Sequence, residues 1–223
     1  MEIVQLVRHG ESEVNCGLIQ YGSIGDHKVP LSEKGHQQAV EAGKKLSLHC
    51  NHIVYHSPYL RAVQTMNGLL EGTGHGCPEI RKKAGIRLLE DPRLREVDHG
   101  YDNVESQAEM RKEHGWFYYR FKGGESPADG FDRCCTFLES MSRQFERVKQ
   151  RGAIDLDPGI LIVTHGLTLR CFVMRFMHLS VEQFENIDNP RNCDIITIRP
   201  HTCMDSPQFK CGRWGVEGLR FRN

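Results

Sequence analysis

Two histidines and two arginines occupy places in this 223-residue chain where strand-like runs give way to helix-like ones. Arg8-His9-Gly10 follows the apolar run Glu2 to Val7, and Thr164-His165-Gly166 follows the run from Gly159. Arg61 lies one turn beyond His56-Ser57-Pro58. A helix N-terminus presents unpaired N–H groups and the positive end of its dipole, so Gly166 opens a natural anion site. Arginine adds forked donors that match phosphate oxygens. Each residue alone has an ordinary reading. A histidine after a strand is commonly a hydrogen-bonded loop residue, and an arginine in a first helical turn commonly faces water. Together, two imidazoles and two guanidinium groups at such junctions call for an anionic ligand, and a dianionic phosphoryl group would supply it.

The elements that must position these groups alternate. A buried strand spans about Glu2 to Val7, and a polar, glycine-containing loop runs from Asn15 to Pro30. Ser32 caps a helix reaching about His49. His52 to His56 is a second strand, with Ser57 as cap and Pro58 as first residue of a helix through Leu70. Ile86 to Leu94 is weakly extended and interrupted by Pro92. Ser126-Pro127-Ala128-Asp129 starts a long helix to about Lys149. Gly159 to Thr164 is the cleanest buried strand, Gly166 opens a helix to about Met177, and Ile195 to Ile198 is a late strand. This order predicts an α/β three-layer sandwich, a mainly parallel central sheet with helices on both faces. Ligands in such folds collect at the strand C-termini. Residues 1–223 read as a single domain, with an insertion around 101–125 over one end of the sheet.

Lys+Arg and Asp+Glu both total 29, and the absent basic excess argues against a nucleic-acid or anionic-membrane partner. No apolar stretch approaches the roughly 20 residues that cross a bilayer, and the first run is too short for a secretory leader. A cytoplasmic protein is expected. Nine scattered cysteines lack Cys-x-x-Cys spacing and read as reduced thiols. The chain leaves the oligomeric state undetermined.

Arg8-His9-Gly10-Glu11-Ser12 with Asn15 resembles the signature of the histidine phosphatase superfamily, in its phosphoglycerate mutase-like branch. The resemblance continues through Leu31-Ser32-Glu33-Lys34-Gly35, His56-Ser57-Pro58 and Arg61-Ala62-Val63-Gln64-Thr65. It resumes at Leu94-Arg95-Glu96, Gly123-Gly124-Glu125-Ser126 and Val163-Thr164-His165-Gly166. The blocks stand in family order from residue 3 to about 199, and nothing after Pro200 is matched. The resemblance implies that His9 accepts the phosphoryl group, that Arg8, Arg61 and His165 bind its oxygens with Asn15 and Gly166 assisting, and that Glu96 protonates the departing alkoxide. These roles are chemically sound. Neutral imidazole is a competent nucleophile near neutrality, and neighbouring guanidinium groups disfavour its protonation. The arginines stabilise charge on the equatorial oxygens during in-line transfer. The implied partner is a small phosphorylated substrate, with no cofactor and no metal.

Phosphatase and bisphosphoglycerate-dependent mutase share the phosphohistidine step. Mutases of this family typically carry Glu-Arg-His-Tyr-Gly around the acid and an arginine pair further on. This chain has Glu96-Val97-Asp98-His99-Gly100 and no Arg-Arg pair, so phosphatase is the better expectation. The aromatic residues Trp116, Phe117, Tyr118, Tyr119 and Phe121 suggest either an apolar cover over the pocket or packing against the sheet. Two rivals come from other classes. A metal-dependent hydrolase built on His9, His56, His99 or His165 with Glu11 or Asp98 finds no His-x-His or Asp-x-His spacing in support. A non-catalytic phosphate-binding protein would be expected to lack His9 or Glu96, and both are present.

Overall fold

The computed structural model describes residues 3–46, 48, 51–100, 107–151 and 159–222. Its seven strands are β1 (Val4–Arg8), β2 (Ile53–His56), β3 (Arg87–Glu90), β4 (Ile160–Thr164), β5 (Ile195–Pro200), β6 (Phe209–Cys211) and β7 (Trp214–Glu217). They form one sheet in the order β3-β2-β4-β1-β5-β7-β6. The β3-β2-β4-β1 portion is parallel throughout. The expected parallel core is therefore present, and an antiparallel wing of β5, β7 and β6 extends it. Part of that wing comes from the segment after Pro200.

Strand alternation divides the core. Val4, Leu6, Ile53, Tyr55, Ile160 and Ile162 face one layer, whereas Val7, Val54, Leu161 and Val163 face the other. Burial on both faces is why β4 reads as the unbroken apolar run Ile-Leu-Ile-Val. On the first face lie α5 (Pro127–Arg151) and α6 (Gly166–Phe176), which contribute Phe137, Met141, Leu169 and Phe172. On the second lie α1 (Glu33–Gly43) and α2 (Leu60–Gly72), which contribute Ala42, Met66, Leu69 and Leu70. Short helices α3 (Pro78–Lys83), α4 (Ala108–His114) and α7 (Val181–Asn186) complete the chain.

The expected caps at Ser32 and Ser126 form. Ser32 Oγ accepts the Gly35 amide at 3.1 Å. Ser126 and Asp129 cap one another, the Ser126 N–H donating to Asp129 Oδ2 and the Asp129 N–H to Ser126 Oγ. Helix α1 stops at Gly43, short of the expected end, because Leu46 and Leu48 turn into the core beside Val54 and Leu69; His49 lies outside the described residues. Helix α2 begins at Leu60 with Tyr59 as its cap residue, and the Ser57 hydroxyl binds the Tyr59 amide ahead of the helix and not an amide within it. Within 101–125, Phe117 and Phe121 belong to the core and Tyr119 packs against it, whereas Trp116 is half-buried and Tyr118 exposed. Phe121 is 1% exposed, and Phe117 packs edge-on against Phe184 at 5.2 Å. None of the described residues from 107 to 125 lines the cavity at the strand ends, so packing explains them better than a cover does; residues 101–106 lie outside the description.

Candidate active site

Parallel neighbours β2, β4 and β1 end at the same level, and their following loops are stitched together. The His9 amide donates to Thr164 O at 2.9 Å, and the Ser57 amide donates to Val163 O at 3.0 Å. The Gly10 amide donates to Thr65 Oγ1 at 2.9 Å, whose own hydroxyl donates to Arg61 O at 2.6 Å. This relay fixes the loop after His9 to the turn of α2 that carries Arg61. Gly10 must be glycine here, because a Cβ would stand 2.5 Å from Gly35 O on α1.

A cavity of about 190 Å³ opens at this junction, walled by Arg8, His9, Asn15, Arg61, Glu96 and Gly166, with Asp26, His99 and Asn189 beside them. Nearly all the residues expected from sequence thus converge. His165 is the exception: fully buried, it packs behind His9 with ring centroids 5.2 Å apart and does not line the wall. His56 turns its Nδ1–H to Ser57 O at 3.0 Å and takes no place in the cavity either. A larger cavity, about 710 Å³, lies over α1 and α2 beside His36, Gln64 and Arg81; it holds none of the converging groups.

The tautomer of His9 follows from its partner. Its Nδ1 lies 2.7 Å from Gly10 O, a pure acceptor, so Nδ1 carries the proton and Nε2 keeps its lone pair. Burial, followed by the charges of Arg61 and Arg8, holds the His9 pKa well below the usual imidazole value. His165 is lowered in the same direction by burial, Arg61 and His9. Both rings are neutral near pH 7.

Donors for an anion are held partly in reserve. Arg8 Nη1 donates to Pro190 O at 2.6 Å, while its Nε is buried without a partner among the described residues. Arg61 gives its terminal fork to Asp26, Nη1 to Oδ1 at 2.8 Å and Nη2 to Oδ2 at 2.9 Å, and Nη1 also to Asp26 O at 2.7 Å. That leaves the side fork of the guanidinium, Nε–H with the second Nη2 hydrogen, uncommitted among the described residues. His165 Nδ1 is likewise buried and unpartnered, whereas its Nε2 lies 2.8 Å from Ser57 Oγ. Each such orphan donor costs about 1–3 kcal/mol, a cost that an entering anion relieves. Asn15 lines the cavity, and its Oδ1 accepts the Ser12 amide at 3.2 Å and Asn192 Nδ2 at 3.4 Å. A Cβ on Gly166 would stand 3.3 Å from Asn189 and 3.6 Å from Arg8 Nε, so this glycine keeps the anion's floor open.

Glu96 sits across the cavity, at the start of α6. Its carboxylate accepts the amides of Val97 at 2.9 Å, Thr168 at 3.1 Å and Leu167 at 3.3 Å. Its loop is braced from behind by Glu125, which receives Arg133 Nη2 at 2.9 Å, the Arg95 side chain, and the Asp98 amide at 3.2 Å. Among the described residues no three His, Cys, Asp or Glu side chains gather as a metal site. Asp26, Ser57, Pro190 and Asn192 were not apparent from sequence. Asn192 Nδ2 donates to His9 O at 3.0 Å, and such loop partners carry no spacing signal.

Residues 4–209 match the histidine phosphatase superfamily (branch 1), and the chain belongs to that family. It is 36% identical to the phosphoglycerate mutase-like protein AT74H of Arabidopsis thaliana, over 85% of this chain and 71% of that protein. It is 25% identical to the broad-range acid phosphatase DET1 of Saccharomyces cerevisiae, over 88% of this chain and 84% of that protein. Among solved structures, a mycobacterial glucosyl-3-phosphoglycerate phosphatase superposes with a TM-score of 0.68 at 22% identity, covering 100% of this chain and 99% of its own. This last likeness is one of fold.

Proposed function

We propose that the protein is a phosphomonoesterase working through a phosphohistidine on His9, with residues 1–223 acting as one domain. The observation that carries this reading is the Nδ1–H to Gly10 O bond, which presents a neutral, nucleophilic Nε2 in a cavity whose other walls hold spare arginine donors. Nε2 attacks phosphorus and the ester P–O bond breaks. Arg8, Arg61 and Asn15 bind the transferring oxygens, over the floor that Gly166 keeps open. His165 acts from behind His9 through its unpartnered Nδ1. Glu96 gives its proton to the departing alkoxide, which leaves as the alcohol. Water then attacks phosphorus and gives its proton to Glu96, the P–N bond breaks with its electron pair returning to His9 Nε2, and phosphate is released. Eight described cysteines, all unpaired, suit a reducing compartment and support a cytoplasmic location.

The test is a screen of phosphomonoesters by phosphate release, with phosphoglycerate isomerisation assayed in parallel. Labelled substrate should leave an acid-labile, base-stable phosphoryl adduct on the wild type and none on His9→Ala. Full turnover by His9→Ala would overturn the mechanism, and isomerisation faster than phosphate release would make the protein a mutase.

A further inference from the structure

Beyond the phosphate cavity lies a second chamber of about 460 Å³, which shares Val14, Tyr21, Asp26 and Val29 with the first. A phosphoester seated on His9 would extend its alcohol part into it. Its polar wall consists of Tyr21, Tyr59, Asp26, His27 and Asp98, with no lysine or arginine. Asp26 is neutralised by Arg61. Asp98 is not neutralised: among the described residues it has no ion pair, and Oδ1 takes only the Gly100 amide at 2.8 Å. It is also held in place, since its backbone N–H and C=O both bond Glu125. Burial, then the charge of Asp26, raises the pKa of both phenols against the opposing charge of Arg61, so Tyr21 and Tyr59 stay protonated hydroxyls. Tyr21 stands 48% exposed, and its hydroxyl reaches toward Gly100 O at 3.4 Å, across the chamber mouth.

We propose that Asp98, with Tyr21 and Tyr59, selects phosphate esters of alcohols that bear hydroxyl or amine groups and no further anionic group. This inference rests on the phosphatase reading above. A carboxylate or second phosphate on the alcohol would enter a chamber whose described wall holds no lysine or arginine, whose neighbouring Arg61 is already paired with Asp26, and whose Asp98 has no ion pair among the described residues. Hydroxyls instead find two phenols and a carboxylate to bond, and an ammonium finds its counter-ion. Amino-sugar and polyol phosphates fit; phosphoglycerate and bisphosphorylated compounds do not.

A matched series decides it: glucosamine 6-phosphate, glucose 6-phosphate and 6-phosphogluconate, each kcat/KM taken relative to p-nitrophenyl phosphate for the same enzyme. The expected order is amine, then neutral, then carboxylate, with roughly two- to fivefold per step, as for one exposed charge contact. Asp98→Asn should compress the series and Asp98→Lys should reverse it. Asp98 is exposed, so both variants fold, which circular dichroism checks. A flat or carboxylate-favouring series in a wild type that does hydrolyse p-nitrophenyl phosphate overturns this selectivity and leaves the phosphatase reading standing. An unchanged order in both Asp98 variants overturns the assignment to Asp98. Failure to hydrolyse any of the four esters overturns the phosphatase reading, and this inference with it.

Discussion

Ser57 Oγ and His165 Nε2 lie 2.8 Å apart, and the same hydroxyl accepts the Tyr59 amide at 3.3 Å. Among the described residues the Ser57 hydroxyl has no other acceptor for its own proton, so the bond that uses that proton runs from Oγ–H to the imidazole. His165 Nε2 is then the acceptor and Nδ1 carries the hydrogen, which turns the buried, unpartnered nitrogen into a donor for an anion. Ser57→Ala should keep the fold and weaken inhibition by phosphate or vanadate about tenfold, the value of one hydrogen bond. Nitrogen-15 shifts of His165 should move toward a mixed tautomer in the same variant. Unaltered shifts and inhibition would remove Ser57 from the site.

Glu96→Gln separates proton donation from binding. For alkyl phosphates the loss in kcat should be about 10²–10⁴-fold. For p-nitrophenyl phosphate, whose leaving group is a stable anion, it should be far smaller. Equal losses on both substrates would refute the donor role.

The depressed pKa values of His9 and His165 set the direction of a pH effect. Unfolded, each ring takes a proton near pH 6.5; folded, each refuses it until the pH is well below that. Stability is therefore unaffected above about pH 7 and falls as the pH drops through 6.5, approaching about 2.7 kcal/mol per unit for two protons. Urea titrations between pH 7.5 and 5 measure the slope, which His9→Asn should roughly halve. Ring resonances of the free enzyme that titrate at or above 6.5 would contradict it.

Glu125 is expected to act on chemistry it does not touch. It anchors Arg95, Arg133 and the Asp98 amide, and so holds the Glu96 loop. Glu125→Gln should cost about 2 kcal/mol by loss of a charged hydrogen-bond acceptor. It should also lower kcat for alkyl esters several-fold more than for p-nitrophenyl phosphate, because the misplaced group is the proton donor. A stability loss with an unchanged alkyl-to-aryl ratio would reduce Glu125 to scaffolding.

Much of this architecture is legible in the sequence because local chemistry writes it. The Ser32 and Ser126 caps, the apolar run Ile160–Thr164 and the histidines at strand ends each carry a short-range signal. The Ser57 cap misled, because a hydroxyl beside proline looks the same whether it binds a helix amide or a histidine 108 residues away. Helix α7 is short but has a complete capping box at Ser180 and Gln183, a signal that could have been read. Strands β6 and β7 hold few residues and little alternation. Asp26, Pro190 and Asn192 enter the site through tertiary approach alone, which no spacing rule encodes.

The place of β1 between β4 and β5 also bears on how the protein is made. The strand that carries His9 is synthesised first, yet both of its sheet neighbours come from the last part of the chain. At roughly 5–20 residues per second of translation, β1 waits about 8–31 s for β4 and about 10–40 s for both edges to be covered. Over that interval Arg8 lacks Pro190, His9 lacks Asn192, and the nascent chain has no phosphoryl pocket to misuse. The same delay leaves an apolar strand with both edges open on the ribosome, exposed to association until β4 and β5 arrive.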